Sequence, residues 1–153
     1  HRAMRADKGF DTVECYRHVE HIVAKRQDVL LLECMSNLLA NEMYLEPDAD
    51  AGSDVEKTGI GGNASSDMTE MMSPVSKKIV QALVDLSTRV QDLVIVTNDV
   101  FSDGGSLTYD ESTREYVKNL AEINCALAQE AATVTEVVCG IPVIVKKNHP
   151  MGK

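Results

Sequence analysis

The chain has 153 residues, 44% hydrophobic but only 4% aromatic and without Trp, so it predicts one domain with an aliphatic core. Its net charge of −9 excludes a basic nucleic-acid-binding face, though not a small phosphorylated ligand, which a few Arg side chains and backbone N–H groups can hold. No apolar run, Val29–Leu32 included, is long enough to predict a membrane-spanning helix.

Residues 1–11 are polar and basic and predict an exposed active-site segment. Thr12–Glu14 reads as a short strand. Cys15–Gln27 carries Tyr16, Val19, Ile22 and Val23 at helical spacing and reads as an amphipathic helix. Asp28–Glu33 is a continuous apolar run closed by an acid, which suits a parallel strand buried on both faces. Ser36–Tyr44 reads as a helix. Composition then shifts to Gly, Ser, Asp and Asn, so 46–73 is expected to be a flexible insertion. Its Lys57-Thr58-Gly59-Ile60-Gly61-Gly62-Asn63 is no phosphate loop, because the Lys-Thr pair precedes the glycines and no apolar strand leads into it.

Pro74 fits the first turn of a helix whose stripe is Val75, Ile79, Ala82, Leu83 and Leu86. Asp92–Thr97 is the second buried strand, expected beside the first, and Asn98–Thr108 is a loop. A helix over Asp110–Ala132 presents Tyr116, Leu120, Ile123, Leu127 and Ala131 on one face. Val134–Cys139 and Val143–Val145 read as terminal strands around a Gly140–Pro142 turn. The alternation predicts a single α/β domain over 1–153, a mostly parallel sheet with helices on both faces.

The chemistry-bearing residues sit at the start of the chain and at the strand ends. His1 begins a basic run, Arg2-Ala3-Met4-Arg5. A neutral imidazole can attack an α-phosphate to form a nucleotidyl-histidine, with Arg2 and Arg5 on the phosphate oxygens. By itself such a histidine reads first as a surface residue at a frayed terminus. Glu33, Asn98 and Asp99 end buried strands, where α/β sheets bind ligands; the plain alternative is a solvated strand-end carboxylate for Glu33, as for Glu14, and a simple loop cap for Asn98 and Asp99. Cys15, His18 and His21, at i, i+3 and i+6 of the expected helix, offer a weaker metal edge. The four cysteines form no C-x-x-C pair and predict buried free thiols of a reducing, cytoplasmic compartment. No nucleophile elbow supports a hydrolase.

The order and spacing of these pieces resemble the adenosylcobinamide kinase/adenosylcobinamide-phosphate guanylyltransferase family. The segments are His1 to Thr12-Val13-Glu14, Glu33-Cys34-Met35-Ser36 with Asn41, Val96-Thr97-Asn98-Asp99-Val100, and Gly140-Ile141-Pro142-Val143-Ile144-Val145-Lys146. Arg114, Tyr116, Asn124 and Ala128 also match. Departures are Phe10 near the family's Trp position, Ser36 for Thr, Asp99 for Glu, Phe101 for Gly, Val117 for Arg, Ala121 for Gly and Cys125 for Gln.

The resemblance implies a three-layer, phosphate-loop-NTPase-like (RecA-like) sheet lacking its first strand, phosphate loop and first helix, because nothing here fits G-x-x-x-x-G-K-[ST]. It implies a guanylyl carrier at His1 and nucleotide contacts at Arg2, Ala3, Met4, Arg5, Glu14 and Glu33. Asn41, Asn98 and Asp99 become substrate or Mg²⁺ contacts. GTP or ATP and Mg²⁺ are then the reactants, adenosylcobinamide or its phosphate the partner, and a homo-oligomer, a trimer, the assembly. The chain alone is expected to be inactive. Two other readings stay open: a degenerate, non-catalytic corrinoid- or protein-binding relative, and an unrelated nucleotide-binding α/β domain.

Overall fold

In a computed structural model, the structure describes residues 8–45, 71–100 and 109–148. A short 3₁₀ turn, Val19–His21, precedes strand β1 (Val29–Glu33) and helix α1 (Met35–Tyr44). Helix α2 (Pro74–Arg89) leads into β2 (Asp92–Val96), then α3 (Glu111–Glu130), β3 (Thr133–Val138) and β4 (Ile141–Lys147). The fold is mixed α/β.

β1 and β2 pair in parallel, from Val29 opposite Asp92 to Glu33 opposite Val96, as their apolar runs predict. Among the described residues only one face is packed. Leu30, Leu32, Leu93 and Ile95 join the core, whereas Val29, Leu31, Val94 and Val96 are 42–58% exposed. The expectation of burial on both faces is therefore corrected: among the described residues the helices lie against one side of this pair.

The last two strands form a separate antiparallel hairpin, so a mostly parallel sheet becomes two small sheets, one of each kind. The turn is tighter than expected. Cys139 and Gly140 both have positive φ, 50° and 80°. This is the two-residue geometry whose twist matches a hairpin. Pro142 consequently lies inside β4, opposite Val137, rather than in the turn.

The helices begin where the sequence supplies caps. Ser73 accepts from the Ser76 N–H with Pro74 in the first turn, and Asp110 accepts from the Thr113 N–H at 2.7 Å. Met35, Leu38 and Leu39 of α1 meet Ile79, Leu83 and Leu86 of α2 and Leu120 and Ile123 of α3, all buried. Each such side chain contributes about 1.5–3 kcal/mol by leaving water. Buried Ser76 donates to the Asn119 carbonyl at 3.3 Å, so the α2–α3 seam satisfies its own polar groups.

Residues 12–27 depart from expectation. Thr12–Glu14 is no strand, and the helix over Cys15–Gln27 is reduced to the 3₁₀ turn. His18 takes the left-handed conformation, φ 57°, which a right-handed helix cannot contain. The Glu20 and Ile22 carbonyls instead accept from the Arg89 guanidinium, each at 3.2 Å. Val19 is buried, but Tyr16 and Val23 are 63% and 96% exposed, so their helical spacing produces no buried stripe. Residues 46–70 of the expected insertion, and 101–108 of the expected loop, lie outside the described residues.

Candidate functional site

Parallel pairing places Glu33 opposite Val96, so Glu33-Cys34 and Thr97-Asn98 leave the sheet side by side. The crevice beyond the carboxyl ends of such strands is where open α/β sheets take ligands. Glu33, Asn98 and Asp99 are exposed there. The peptide between Glu33 and Cys34 is cis. α1 starts directly after Cys34, whose Sγ lies 3.0 Å from the Ser36 hydroxyl. The first N–H groups of α1 thus open at the strand end, where an anion is favoured.

α3 holds both sides of this crevice. The Tyr116 hydroxyl donates to the Ser36 carbonyl at 3.1 Å. The Thr97 hydroxyl donates to Asn124 Oδ1 at 2.7 Å, and Asn124 Nδ2 reaches the Asn98 carbonyl at 3.5 Å. Burial pushes the Tyr116 phenol up, so it stays a protonated donor.

A cleft of about 430 Å³ borders the same strand. Asp11, Thr12 and Val13 line it together with Leu31, Leu32 and Glu33, so the Thr12–Glu14 neighbourhood and Glu33 border one cleft. Glu14 itself is exposed. Asn41 stands apart: it is half-buried in the last turn of α1, its carbonyl bonded to the Leu45 N–H, about 9 Å along the axis from the helix start. His1, Arg2, Ala3, Met4 and Arg5 lie outside the described residues.

The Cys15–His18–His21 metal edge does not form. Cys15 Sγ donates to the Arg17 carbonyl, and the rings of His18 and His21 stack with centroids 5.7 Å apart. The set within ligand distance among the described residues is His18, Glu20 and Glu42. It already has a cation. Lys78 Nζ is 2.8 Å from Glu42 Oε2, 3.3 Å from His18 Nδ1 and 4.0 Å from Glu20 Oε1. The Glu42 side chain is only 4% exposed. Burial alone would raise its pKa, but bonds from the His18 N–H and Lys78, together with their charge, hold it below the usual value.

The sequence misses this cluster because its members come from the 15–22 segment, α1 and α2. The thiols also differ from expectation: Cys15 and Cys34 are half-buried, while Cys125 and Cys139 are exposed. No helix among the described residues is long and apolar enough to cross a membrane.

The model of a protein family described as cobinamide kinase / cobinamide phosphate guanyltransferase matches residues 1–145, so it spans both the basic start and the strand-end crevice. A search of curated proteins gives no match.

Proposed function

Because the chain belongs to the cobinamide kinase / cobinamide phosphate guanyltransferase family, we propose that it serves the guanylyl transfer of that chemistry, with GMP carried on His1, and that the chain alone, in which nothing fits G-x-x-x-x-G-K-[ST], is inactive. The observation that carries this reading is the strand-end pairing. It brings Glu33-Cys34 beside Thr97-Asn98, two segments singled out independently in sequence, at the edge where α/β sheets bind nucleotides.

In the proposed first step an imidazole nitrogen of His1 attacks the α-phosphorus of GTP. A P–N bond forms, the P–O bond to the β-phosphate breaks, and pyrophosphate leaves. In the second step a phosphate oxygen of adenosylcobinamide phosphate attacks the same phosphorus. The P–N bond breaks and the imidazole returns neutral. Splitting one displacement into two lowers each barrier. Arg2 and Arg5 bind the transferring phosphoryl oxygens. Ala3 and Met4 bring backbone to the nucleotide, and Glu14 and Glu33 accept from base or ribose.

Glu33 and Asp99 are exposed carboxylates at the crevice, the hard oxygen donors Mg²⁺ takes. Bound there, the ion supplies neutralisation of the triphosphate charge. Asn98 and Asn41 are assigned to substrate contacts, Asn41 farther along α1. The kinase step, with ATP or GTP as donor, belongs to the same reading. So do a phosphate-loop-NTPase-like arrangement of the parallel strands, a single-domain cytoplasmic protein, and a homo-oligomer, a trimer.

Incubation with α-labelled GTP and Mg²⁺ tests the carrier. A guanylyl-histidine is a phosphoramidate, labile in acid and stable in alkali, because protonating its nitrogen makes a good leaving group. In a protein that also carries a phosphate loop the expected result is such a label on His1, absent from His1→Ala, and the chain alone is expected to take little or no label. Undiminished label in His1→Ala overturns the assignment.

A further inference from the structure

We propose that Asn124 is a positioning residue for the strand-end loop: acting through Thr97, it fixes the backbone that presents Asn98 and Asp99 to the nucleotide. The inference rests on the guanylyl-transfer reading above and adds to it a residue in α3 that the reading itself does not use.

Three observations support it. First, the bond from the Thr97 hydroxyl to Asn124 Oδ1, at 2.7 Å, has the optimal O–H···O length and is made at the first residue beyond β2. Chain direction after Val96 is otherwise unconstrained by the parallel ladder, which ends at the Glu33–Val96 pair. Second, the same amide reaches the next carbonyl, that of Asn98, at 3.5 Å. Oxygen accepts and nitrogen donates, so one carboxamide faces two consecutive residues, with the Thr97 bond the closer of the two. Third, Asn124 stands on a fixed base. The adjacent Ile123 and, one turn earlier, Leu120 are each 0% exposed in the core. Tyr116, two turns before Asn124 on the same face, holds the other side of the crevice through Ser36. α3 therefore sets the spacing between the end of β2 and the start of α1. A displacement of about 1 Å in a group that orients a reactant can cost about 100-fold in rate.

The experiment is a double-mutant cycle, in the protein carrying a phosphate loop, with Asn124→Ala, Thr97→Val and the double variant, read as kcat/KM for guanylyl transfer. Thr97→Ser and Asn124→Asp are the rescues: Ser restores the hydroxyl, and Asp restores the acceptor for Thr97 while losing the donor to Asn98. Expected are falls of about 10- to 100-fold in each single variant, with the double no worse than the poorer single, and substantial recovery in both rescues. Additive falls, or no fall, overturn the proposal. If Asn124→Ala does not fold, Thr97→Val against Thr97→Ser decides in the same way.

A second readout separates this proposal from the function it rests on. Amide exchange at Asn98–Val100 is expected to quicken in Asn124→Ala and Thr97→Val, return in Thr97→Ser, and leave the β1 amides unchanged. Absence of guanylyl transfer in the unsubstituted protein carrying a phosphate loop sinks the functional reading, and this exchange pattern, read on the chain itself, still decides the positioning. Unchanged exchange in both variants overturns it.

Discussion

The Tyr116 hydroxyl donates to the Ser36 carbonyl at 3.1 Å, joining residues 80 apart and tying α3 to the first turn of α1. That turn follows directly on Glu33-Cys34, so the bond fixes one side of the candidate crevice to the core of the domain. Tyr116→Phe keeps the ring and removes the donor. The expected cost is about 0.5–1.5 kcal/mol in urea unfolding. Burial raises the phenol's pKa above its ordinary 10.0. A raised pKa makes this contribution fully present below the unfolded value and lost as pH rises through the folded one. The stability difference between the parent protein and Tyr116→Phe should therefore shrink in strongly alkaline solution, and a constant difference there would refute it.

The 3₁₀ turn makes a prediction opposite to that of an amphipathic helix. Val19 is 2% exposed and Val23 is 96% exposed, although both fall on the apolar side at helical spacing. Val19→Ala should cost about 1–3 kcal/mol, the order of a buried aliphatic side chain. Val23→Ala should stay within about 0.5 kcal/mol of the parent. Equal costs would restore the helix over 15–27.

The hairpin turn requires positive φ at both of its central residues, Cys139 and Gly140. Gly140 has φ +80°, and a Cβ built there meets nothing within 4 Å. Gly140→Val should therefore destabilise the β3–β4 pair by about 1–2 kcal/mol through strain, without a clash. Cys139→Asn, which creates the Asn-Gly pair preferred in such turns, should move it the other way. Exchange rates of the Thr133–Val138 amides measure both. Unaltered exchange in Gly140→Val would mean that the positive φ is not required.

What was legible in the sequence is what local spacing encodes. The runs Val29–Leu32 and Leu93–Val96, the stripe from Val75 to Leu86, and that from Tyr116 to Leu127 all became the elements expected, and the two strands pair as neighbours. Glu33 and Asn98 were legible as strand-end residues for the same reason. What escaped is set by partners distant in sequence. Residues 15–22 have helical periodicity, but Arg89 captures two of their carbonyls and Glu42 accepts the His18 N–H at 2.8 Å. Nothing near Asn124 signals its bond to Thr97, 27 residues earlier. The exposed face of β1 and β2 likewise could not be read from runs that are apolar at every position.

Acid should weaken the fold in part through Glu42. This residue is nearly buried, and its carboxylate accepts from the His18 N–H at 2.8 Å and from Lys78 Nζ at 2.8 Å. Desolvation pushes its pKa upward, but the two bonds and the neighbouring positive charge outweigh it, and the folded-state pKa lies below the ordinary 4.5. A depressed carboxylate pKa contributes stability that is fully present above the unfolded value and is lost as pH falls through the folded one. Between roughly pH 6 and pH 3, the protein should therefore lose stability in part through this residue. Glu42→Gln keeps the shape but turns an amide toward Lys78. It should cost about 1.5–3 kcal/mol at pH 7, the range for a hydrogen bond to a charged group. Its own decline toward pH 3 should be shallower, because the titrating group is gone. Lys78→Met should shift the acid-sensitive range of Glu42 upward, since a major stabiliser of the carboxylate is removed and the burial remains. Urea unfolding of the three proteins across this range measures all these effects. Parallel stability–pH curves for the parent and Glu42→Gln would show that Glu42 does not carry the acid sensitivity.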